Sequence, residues 1–158
     1  MKIKFVLIIL SLLISADLSA QKKPDIVFTH SDYIIVWHEG GIALGHHHTR
    51  FFCVTDNGVS ADTIHASSFR PNDINDLALN FHFPAAAYAR VKDMPYAITP
   101  EMLKKPESNY GKQLPDGGRY YVVASVNGVK YKWSFTGTLN SFSTDMQKFV
   151  EYIYSRMP

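Results

Sequence analysis

Three consecutive histidines, His46, His47 and His48, are the residues whose type and spacing come nearest to a metal site. In an extended segment His46 and His48 point to one side and His47 to the other, because side chains alternate along a strand. Two imidazoles on one side bind zinc or copper weakly, whereas a durable zinc site needs a third or fourth ligand. His38 or Glu39 supplies one if the intervening glycines fold the chain back. We therefore expect either a weak zinc or copper site at residues 46–48 or a solvated polar loop, and no other cofactor.

The residues needed for covalent or acid–base catalysis lack the local patterns of such sites. Cys53 is the only cysteine, and its Phe-Phe-Cys-Val setting is typical of a buried strand position rather than of a reactive thiol. No Gly-x-Ser-x-Gly nucleophile turn and no His-Glu-x-x-His metalloprotease helix occurs in the sequence. Asp56, Asp73 and Asp116 lie where turns and helix caps ordinarily use aspartate. We therefore expect no catalytic residues and predict that the protein is not an enzyme.

Glycines and tyrosines supply the candidate partner-binding residues. Gly40, Gly41 and Gly45 lie between two predicted strands, where glycine indicates a positive φ or a close backbone approach. A phosphate-binding loop needs lysine and then serine or threonine directly after its glycines, and this stretch has a histidine instead. Tyr96 and Tyr110 lie in a segment rich in proline and glycine, and tyrosine is a frequent anchor of protein interfaces. We expect these residues, in loops 39–48 and 88–116, to contact a partner, because rigid scaffolds present binding residues on loops.

The first twenty residues have the three parts of a secretory signal peptide. Met1–Lys4 is basic, Phe5–Ile14 is apolar apart from one serine, and residues 15–20 form a tail rich in small side chains. The apolar run is too short to remain as a membrane-spanning helix. No cysteine lies at the expected cleavage site after Ala20, so no lipid anchor is predicted. We expect residues 1–20 to be cleaved and the mature protein to be exported, either to a periplasm or to the medium.

Residues 21–158 have the size and composition of a single soluble domain. Cleavage would leave 138 of the 158 residues and lower the formal charge from +2 to +1, because Lys2, Lys4 and Asp17 are removed. A surface so close to neutral argues against a nucleic-acid partner, which requires a concentrated basic face. No later stretch is long and apolar enough to cross a membrane. We expect a monomer that binds neither nucleic acid nor a membrane.

Two β-hairpins are predicted from turn signals that separate strand-like runs. Asp25–His30 and Tyr33–Trp37 are predicted to be short strands. After them, Thr49–Thr55 and Val59–Ser67 flank the tight-turn sequence Asp56-Asn57-Gly58. Further along, Arg119–Val126 and Val129–Phe135 flank Asn127-Gly128, the preferred pair for a two-residue type I′ turn.

The second hairpin has two chemically different faces. With Val126 opposite Val129, one face carries Tyr120, Tyr131, Trp133 and Phe135, and we expect this face to pack on the core. The other face carries Arg119, Tyr121, Lys130 and Lys132, and is predicted to meet water. That outer face is either a binding patch or an ordinary solvated surface.

Two amphipathic helices and one long connection complete the predicted fold. A stripe at helical spacing, beginning at Ile74, predicts a helix over Asn72–Phe81, and a similar stripe predicts one over Ser143–Arg156. Residues 84–118 contain five prolines, so we expect a long loop with a single helical turn that Thr99 caps. The simplest packing is an α+β fold: an antiparallel sheet of four to six strands with both helices on one face.

The order and spacing of these elements resemble those of the emfourin-like proteins, small bacterial inhibitors of thermolysin-type metalloproteases. The resemblance covers most of residues 30–157: a strand leading to Gly40, Gly41 and Gly45, a turn at Asp56-Asn57-Gly58, the helix Asn72–Phe81, a variable loop, a tyrosine-rich hairpin and a C-terminal helix. No inhibitory residue can be matched, so none is transferred. The resemblance implies a protein that inhibits a peptidase. From this and the signal-peptide pattern together, we expect an exported, non-enzymatic protein that binds a protein partner, in its sharpest form an inhibitor of an extracytoplasmic peptidase. A histidine-rich metal-binding protein and a structural protein of the cell envelope are the alternatives.

Overall fold

The computed structural model describes residues 26–40, 51–65, 69–112 and 118–158. These residues form a seven-stranded sheet in the order β4-β3-β2-β1-β6-β7-β5. The strands are β1 (Tyr33–Glu39), β2 (Phe51–Val54), β3 (Val59–Asp62), β4 (Phe81–His82), β5 (Glu107–Gly111), β6 (Arg119–Val126) and β7 (Val129–Thr136). The predicted α+β fold is confirmed. The prediction of four to six antiparallel strands and two helices is wrong in detail. The described residues form seven strands, of which β5 pairs with β7 in parallel, and three α-helices. The described part of the predicted strand Asp25–His30 forms no strand.

Both predicted hairpin turns are present. Asn127 and Gly128 have φ values of 52° and 75°, as a type I′ turn requires. β6 and β7 pair in the predicted register along their whole length. The turn at Asp56–Gly58 joins β2 to β3, which pair as the first hairpin. Local turn chemistry therefore sets both registers.

The central strand β1 is buried on both sides of the sheet. It lies between β2 and β6 and is antiparallel to both. Ile34 and Val36 point to one face, called the first face here, and belong to the larger hydrophobic core. Tyr33, Ile35 and Trp37 point to the opposite, second face and belong to a smaller apolar cluster. The sheet therefore needs a cover on each face.

Helices cover the first face. They are α1 (Ala85–Val91), α2 (Pro100–Leu103) and α3 (Thr144–Glu151), and α3 continues as a π-helical turn over Tyr152–Arg156. The C-terminal helix that the sequence predicts is therefore confirmed. Its apolar stripe lies against the sheet, where the buried side chains include Trp133, Phe135, Phe149, Val150 and Ile153. No helix among the described residues is long and apolar enough to cross a membrane.

The prediction of a long loop over residues 84–118 is wrong. The described part of this segment contains α1, a 3₁₀ turn at Pro95–Ala97, α2 and the strand β5. Its prolines begin helices instead of breaking them: Pro84 precedes the first residue of α1, and Pro100 is the first residue of α2. Proline suits these positions because its missing N–H would have no partner there. The predicted cap at Thr99 is confirmed, since its side chain accepts from the Met102 amide at 3.2 Å.

The predicted helix over Asn72–Phe81 is wrong as well. Only Ile74–Asp76 is helical, as one 3₁₀ turn, and Leu79 has a left-handed φ of 42° that a continuous helix excludes. Residues 69–80 instead cross the second face as an extended segment, called the strap here. The apolar residues that suggested a helix include Ile74 and Leu77, which pack on the second-face cluster. Burial of the second face therefore overrides the local helical pattern.

The strap also changes the outer face of the β6–β7 hairpin. Val123, Ser125 and Ser134 are buried there, whereas Lys130 and Lys132 are exposed. The prediction that this whole face meets water is therefore only partly right, because the strap and its neighbours shield the middle of it.

Candidate functional site

Two lysines of β7 hold the N-terminal part of the strap. Lys130 Nζ lies 2.5 Å from Asp73 Oδ2, and Lys132 Nζ donates to Asn72 Oδ1 at 2.7 Å. The hydrogen bond from Lys130 lowers the pKa of Asp73, and the Asn75 amide adds to this effect. These contacts place the strap beside β7, at the side of the sheet where β5 forms its edge.

A buried carboxylate holds the C-terminal part of the strap. Asp62, at the end of β3, accepts hydrogen bonds from the amides of Ile64, His65 and Ala78 at 2.8, 3.1 and 2.8 Å. His65 Nδ1 also lies 2.5 Å from Asp62 Oδ2, and the His65 ring stacks on Phe69 with centroids 4.1 Å apart. Burial alone would raise the pKa of Asp62, but these hydrogen bonds, with that from Ala78 foremost, lower it to about 2. The charged carboxylate therefore fixes both the β3 end and the strap.

A groove of about 200 Å³ opens on the second face between the strap and strands β5–β7. Trp37 and Tyr121 line it and stack on each other, with ring centroids 5.2 Å apart and planes 14° from parallel. Glu39 holds this aromatic wall, because its Oε1 accepts from Trp37 Nε1 at 2.9 Å. The same oxygen lies 2.7 Å from the Arg70 guanidinium. The groove is therefore built from three distant parts of the chain that polar contacts hold together.

Several polar side chains of the groove present hydrogen-bond donors. The Lys132 ammonium can only donate hydrogen bonds, so the side-chain oxygen of Asn72 faces it. The NH₂ group of Asn72 therefore points away from Lys132. Ser134, which is buried, donates to Asn109 Oδ1 at 2.5 Å, so Asn109 also presents its NH₂ group elsewhere. Glu107 is the one carboxylate among the residues that line the groove. A groove with this lining favours a ligand that supplies hydrogen-bond acceptors.

The strand β5 forms one edge of the sheet directly beside the groove. The Lys132 amide donates to the Pro106 carbonyl at 2.7 Å, and Lys132 is paired with Glu107. A parallel ladder of this register directs the backbone groups of Glu107, Asn109 and Gly111 away from β7. In the described part of the chain, no strand pairs with this outer edge.

Gly40 lies at the end of β1, where its predicted backbone role is confirmed. It has a φ of 81°, and a Cβ placed on Gly118 would lie 2.9 Å from the Gly40 carbonyl oxygen. The two backbones therefore approach too closely for a side chain between them. Gly41, Gly45 and the three histidines His46, His47 and His48 lie outside the described residues, so their predicted roles stay predictions.

The two candidate interface tyrosines have different positions. Tyr96, on the 3₁₀ turn after α1, is 51% exposed, whereas Tyr110 is only 9% exposed. Tyr110 points to the first face and stacks on Phe135, with centroids 5.3 Å apart. It belongs to the core and is not available as a surface anchor, and the structure does not bring it together with Gly40.

The cysteine is buried on the second face, as predicted. Cys53 is 1% exposed, and burial raises the pKa of its thiol to about 12. A thiol with so high a pKa stays protonated at neutral pH and is a poor nucleophile. Among the described residues no group of three or more His, Cys, Asp or Glu side chains could hold a metal ion.

Sequence reasoning did not identify the groove as a site, although it singled out two of its residues. Tyr121 and Lys132 belong to the outer hairpin face that was predicted as either a binding patch or a solvated surface. The other contributors, Arg70, Asn72 and Asn109, lie in segments predicted as an unassigned connection, a helix and a loop. Only the pairing of β5 with β7 and the path of the strap bring them together.

Comparison with known proteins gives no relative to guide the assignment. No protein-family model matches the chain, and searches of curated proteins and of solved structures give no significant match. Function must therefore be inferred from the groove and the strand edge themselves.

Proposed function

We propose that this is an exported, non-enzymatic protein that binds another protein, and in its sharpest form an inhibitor of an extracytoplasmic peptidase. The observation that carries the proposal is the outer edge of β5 beside the groove, with which no strand of the described residues pairs. A strand edge offers backbone donors and acceptors that an extended segment of another protein can pair with. The adjoining groove of about 200 Å³ has room for a side chain of that segment. Together they supply backbone affinity and side-chain specificity on one surface.

The proposal keeps the partner within the predicted segment 88–116, but assigns it to the edge of β5 (Glu107–Gly111) and not to the tyrosines. Of these tyrosines, Tyr110 is in the core and Tyr96 lies on the helix-covered side of the sheet, in the turn between α1 and α2. Asn109, by contrast, is exposed on β5 and lines the groove. The export part of the proposal rests on the signal-peptide pattern of residues 1–20, and the inhibitor part on the resemblance to emfourin-like proteins.

The first experiment measures export and capture with one tagged protein. The full chain, tagged at its C terminus, is expressed in a bacterial host, recovered from the periplasm or the medium, and its N terminus is sequenced. Export with cleavage predicts that the recovered chain begins at Gln21. The purified protein is then immobilised and exposed to exported proteins of the source cell in the presence of a metal chelator. Recovery of one stoichiometric peptidase, followed by inhibition in an activity assay, supports the proposal.

A matched pair of variants tests whether capture uses the strand edge. Asn109→Ala and Asn109→Pro both remove the side-chain amide, but only proline also removes the backbone N–H that points away from β7. Both variants keep the backbone hydrogen bonds between β5 and β7, and both lose the side-chain bond from Ser134. Capture that survives Asn109→Ala but not Asn109→Pro, with equal melting temperatures, supports edge pairing. Capture that is unchanged in both variants would overturn it.

A second candidate function is metal binding by His46, His47 and His48. One observation favours it: the Asp62 carboxylate holds Nδ1 of His65 by a hydrogen bond. In metal sites, a carboxylate that does not itself bind the metal orients a ligating imidazole in this way. Phe51 and Asp62 are paired in neighbouring strands. His48 precedes Phe51 by three residues, and His65 follows Asp62 by three residues. Zinc and copper titrations of the wild type, of the triple alanine variant of residues 46–48 and of His82→Ala test this candidate. Affinity lost only in the triple variant supports it, and equal affinity in all three proteins excludes it.

A further inference from the structure

We propose that the partner contributes an extended, acidic segment, which pairs with β5 and places a carboxylate in the groove near Lys132. This inference rests on the proposed function, because it names the chemistry of the partner that the same surface would bind. Three observations support it: the free backbone edge, the excess of lysines around it, and the donor-rich lining of the groove.

The backbone of β5 requires an extended partner. The N–H and C=O groups of Glu107, Asn109 and Gly111 point outward at alternating positions, as the register of β5 with β7 dictates. Only another strand matches that spacing over several residues. The side chains of Glu107 and Asn109 point to the second face, so alternate side chains of an added strand would point there too.

The charges near the edge favour an acidic segment, because the described lysines around it outnumber the two nearby carboxylates, Glu101 and Glu107. Lys104, Lys105 and Lys112 flank β5 and are exposed. Lys105 lies 3.4 Å from Glu101, but both side chains are more than half exposed, and such a pair neutralises little. Lysines beside an edge strand also disfavour pairing with a second copy of this chain, because like charges would meet there. The occupant that fits this edge is therefore a different, negatively charged chain.

The groove supplies the specific contact for a carboxylate. The Lys132 ammonium is held by Asn72 and, among the described residues, has no carboxylate within 4 Å. Asn109, on the neighbouring strand, presents its NH₂ group because Ser134 occupies its oxygen. An added strand lies about 10 Å from β7, two strand spacings away. Glu107 is the β5 residue opposite Lys132, and Asn109 is opposite Ser134. A glutamate side chain from the added strand would therefore reach the Lys132 ammonium on the Asn109 side of Glu107.

The test uses two synthetic peptides of about nine residues, each capped at both ends. One alternates threonine with glutamate, and the other replaces each glutamate with lysine. Binding of each labelled peptide to the exported protein is measured by fluorescence anisotropy. We expect saturable binding of the glutamate peptide, weakened by salt, and no binding of the lysine peptide. Equal binding of the two peptides, or binding of neither, would overturn the inference.

Charge reversal at Lys132 tests the specific contact. We expect Lys132→Glu to weaken binding of the glutamate peptide by about tenfold or more and to shift preference toward the lysine peptide. Lys148→Glu makes the same change in net charge at an exposed position of α3, the helix that covers the first face. This variant should bind the glutamate peptide with the affinity of the wild type. Lys132→Met replaces the reversal if that variant does not fold. Unchanged affinity in a folded Lys132 variant rules out the contact.

Failure of the acidic-segment inference can be distinguished from failure of the proposed protein-binding function. If a captured peptidase still depends on the Asn109 backbone but the glutamate peptide does not bind, the protein-binding function stands and the acidic identity of the segment is wrong. If capture is insensitive to Asn109→Pro, the strand edge is not the binding surface and both proposals fail.

Discussion

Replacing Asp62 with asparagine should separate the strap from the sheet, because the Asp62 carboxylate accepts hydrogen bonds from the strap and from the end of β3. Its two oxygens meet three backbone amides and the His65 ring. Asparagine keeps one acceptor oxygen, but its NH₂ group would face either the Ala78 amide or the other N–H groups, where donor meets donor. The side chain is fully buried, so water cannot relieve that mismatch.

The expected loss of stability can be worked out from the lowered pKa of Asp62. The usual pKa of an aspartate side chain is 3.8, and the pKa of Asp62 in the folded protein is about 2. This difference corresponds to about 2 kcal/mol of stability at neutral pH. The buried donors left opposed in the variant add about 1–3 kcal/mol. We therefore expect Asp62→Asn to lower the free energy of unfolding by about 3–5 kcal/mol at neutral pH.

The pH dependence carries a definite sign. Because the folded protein has the lower pKa, the contribution of Asp62 is fully present above 3.8 and is lost as the pH falls toward 2. The stability difference between wild type and variant should therefore shrink over that range. Urea denaturation followed by the fluorescence of Trp37 and Trp133 measures it at each pH.

Asp93→Asn is the matched control, because Asp93 is an exposed aspartate whose loss should change stability by less than about 0.5 kcal/mol. Two results would refute the reasoning. One is an Asp62→Asn variant as stable as the Asp93→Asn control at neutral pH. The other is a stability difference that stays constant as the pH falls below 3.8.

Three further predictions concern the turns, the core and the thiol. Gly128→Ala should cost about 1 kcal/mol because φ is 75°, whereas Gly58→Ala should cost little, since Gly58 does not have a positive φ; a Cβ would meet nothing within 4 Å at either position. Equal losses in urea denaturation would contradict this. Tyr110→Ala should cost about 3 kcal/mol as a core truncation, and Tyr96→Ala less than about 0.5 kcal/mol; thermal unfolding compares them, and a small loss for Tyr110→Ala would argue against its burial. Burial raises the pKa of Cys53 to about 12, so a thiol reagent at neutral pH should label it only after urea unfolds the chain, and rapid labelling of the native protein would disprove this.

The parts of the fold that depend on neighbouring residues could be predicted from the sequence. Asn127 and Gly128 adopt the positive φ values that make a type I′ turn, so the register of the β6–β7 hairpin followed directly. Thr99 and Pro100 likewise form a helix start that two adjacent residues define. In each case the deciding interactions lie within a few residues along the chain.

The parts that depend on distant contacts could not be predicted. The stripe around Ile74 and Leu77 has helical spacing, but these residues serve the second sheet face instead. β5 has few β-branched or aromatic residues, and its partner β7 lies 25 residues further along. The groove requires both features, because Asn109 comes from β5 and Asn72 from the strap. Local propensity carries no information about either placement.

The position of β1 in the sheet has a consequence for the order in which the chain folds. Its neighbour β6 comes late in the sequence: Asp32, just before β1, receives a hydrogen bond from Ser125, 93 residues away. As the chain is synthesised, β1 can pair with β2 early, but its other edge stays open until β6 has been made. The helix α3, which covers the first face, comes later still. Since contacts between distant residues form slowly, we expect folding to be completed only after nearly the entire chain has been released, with the central strand open until then.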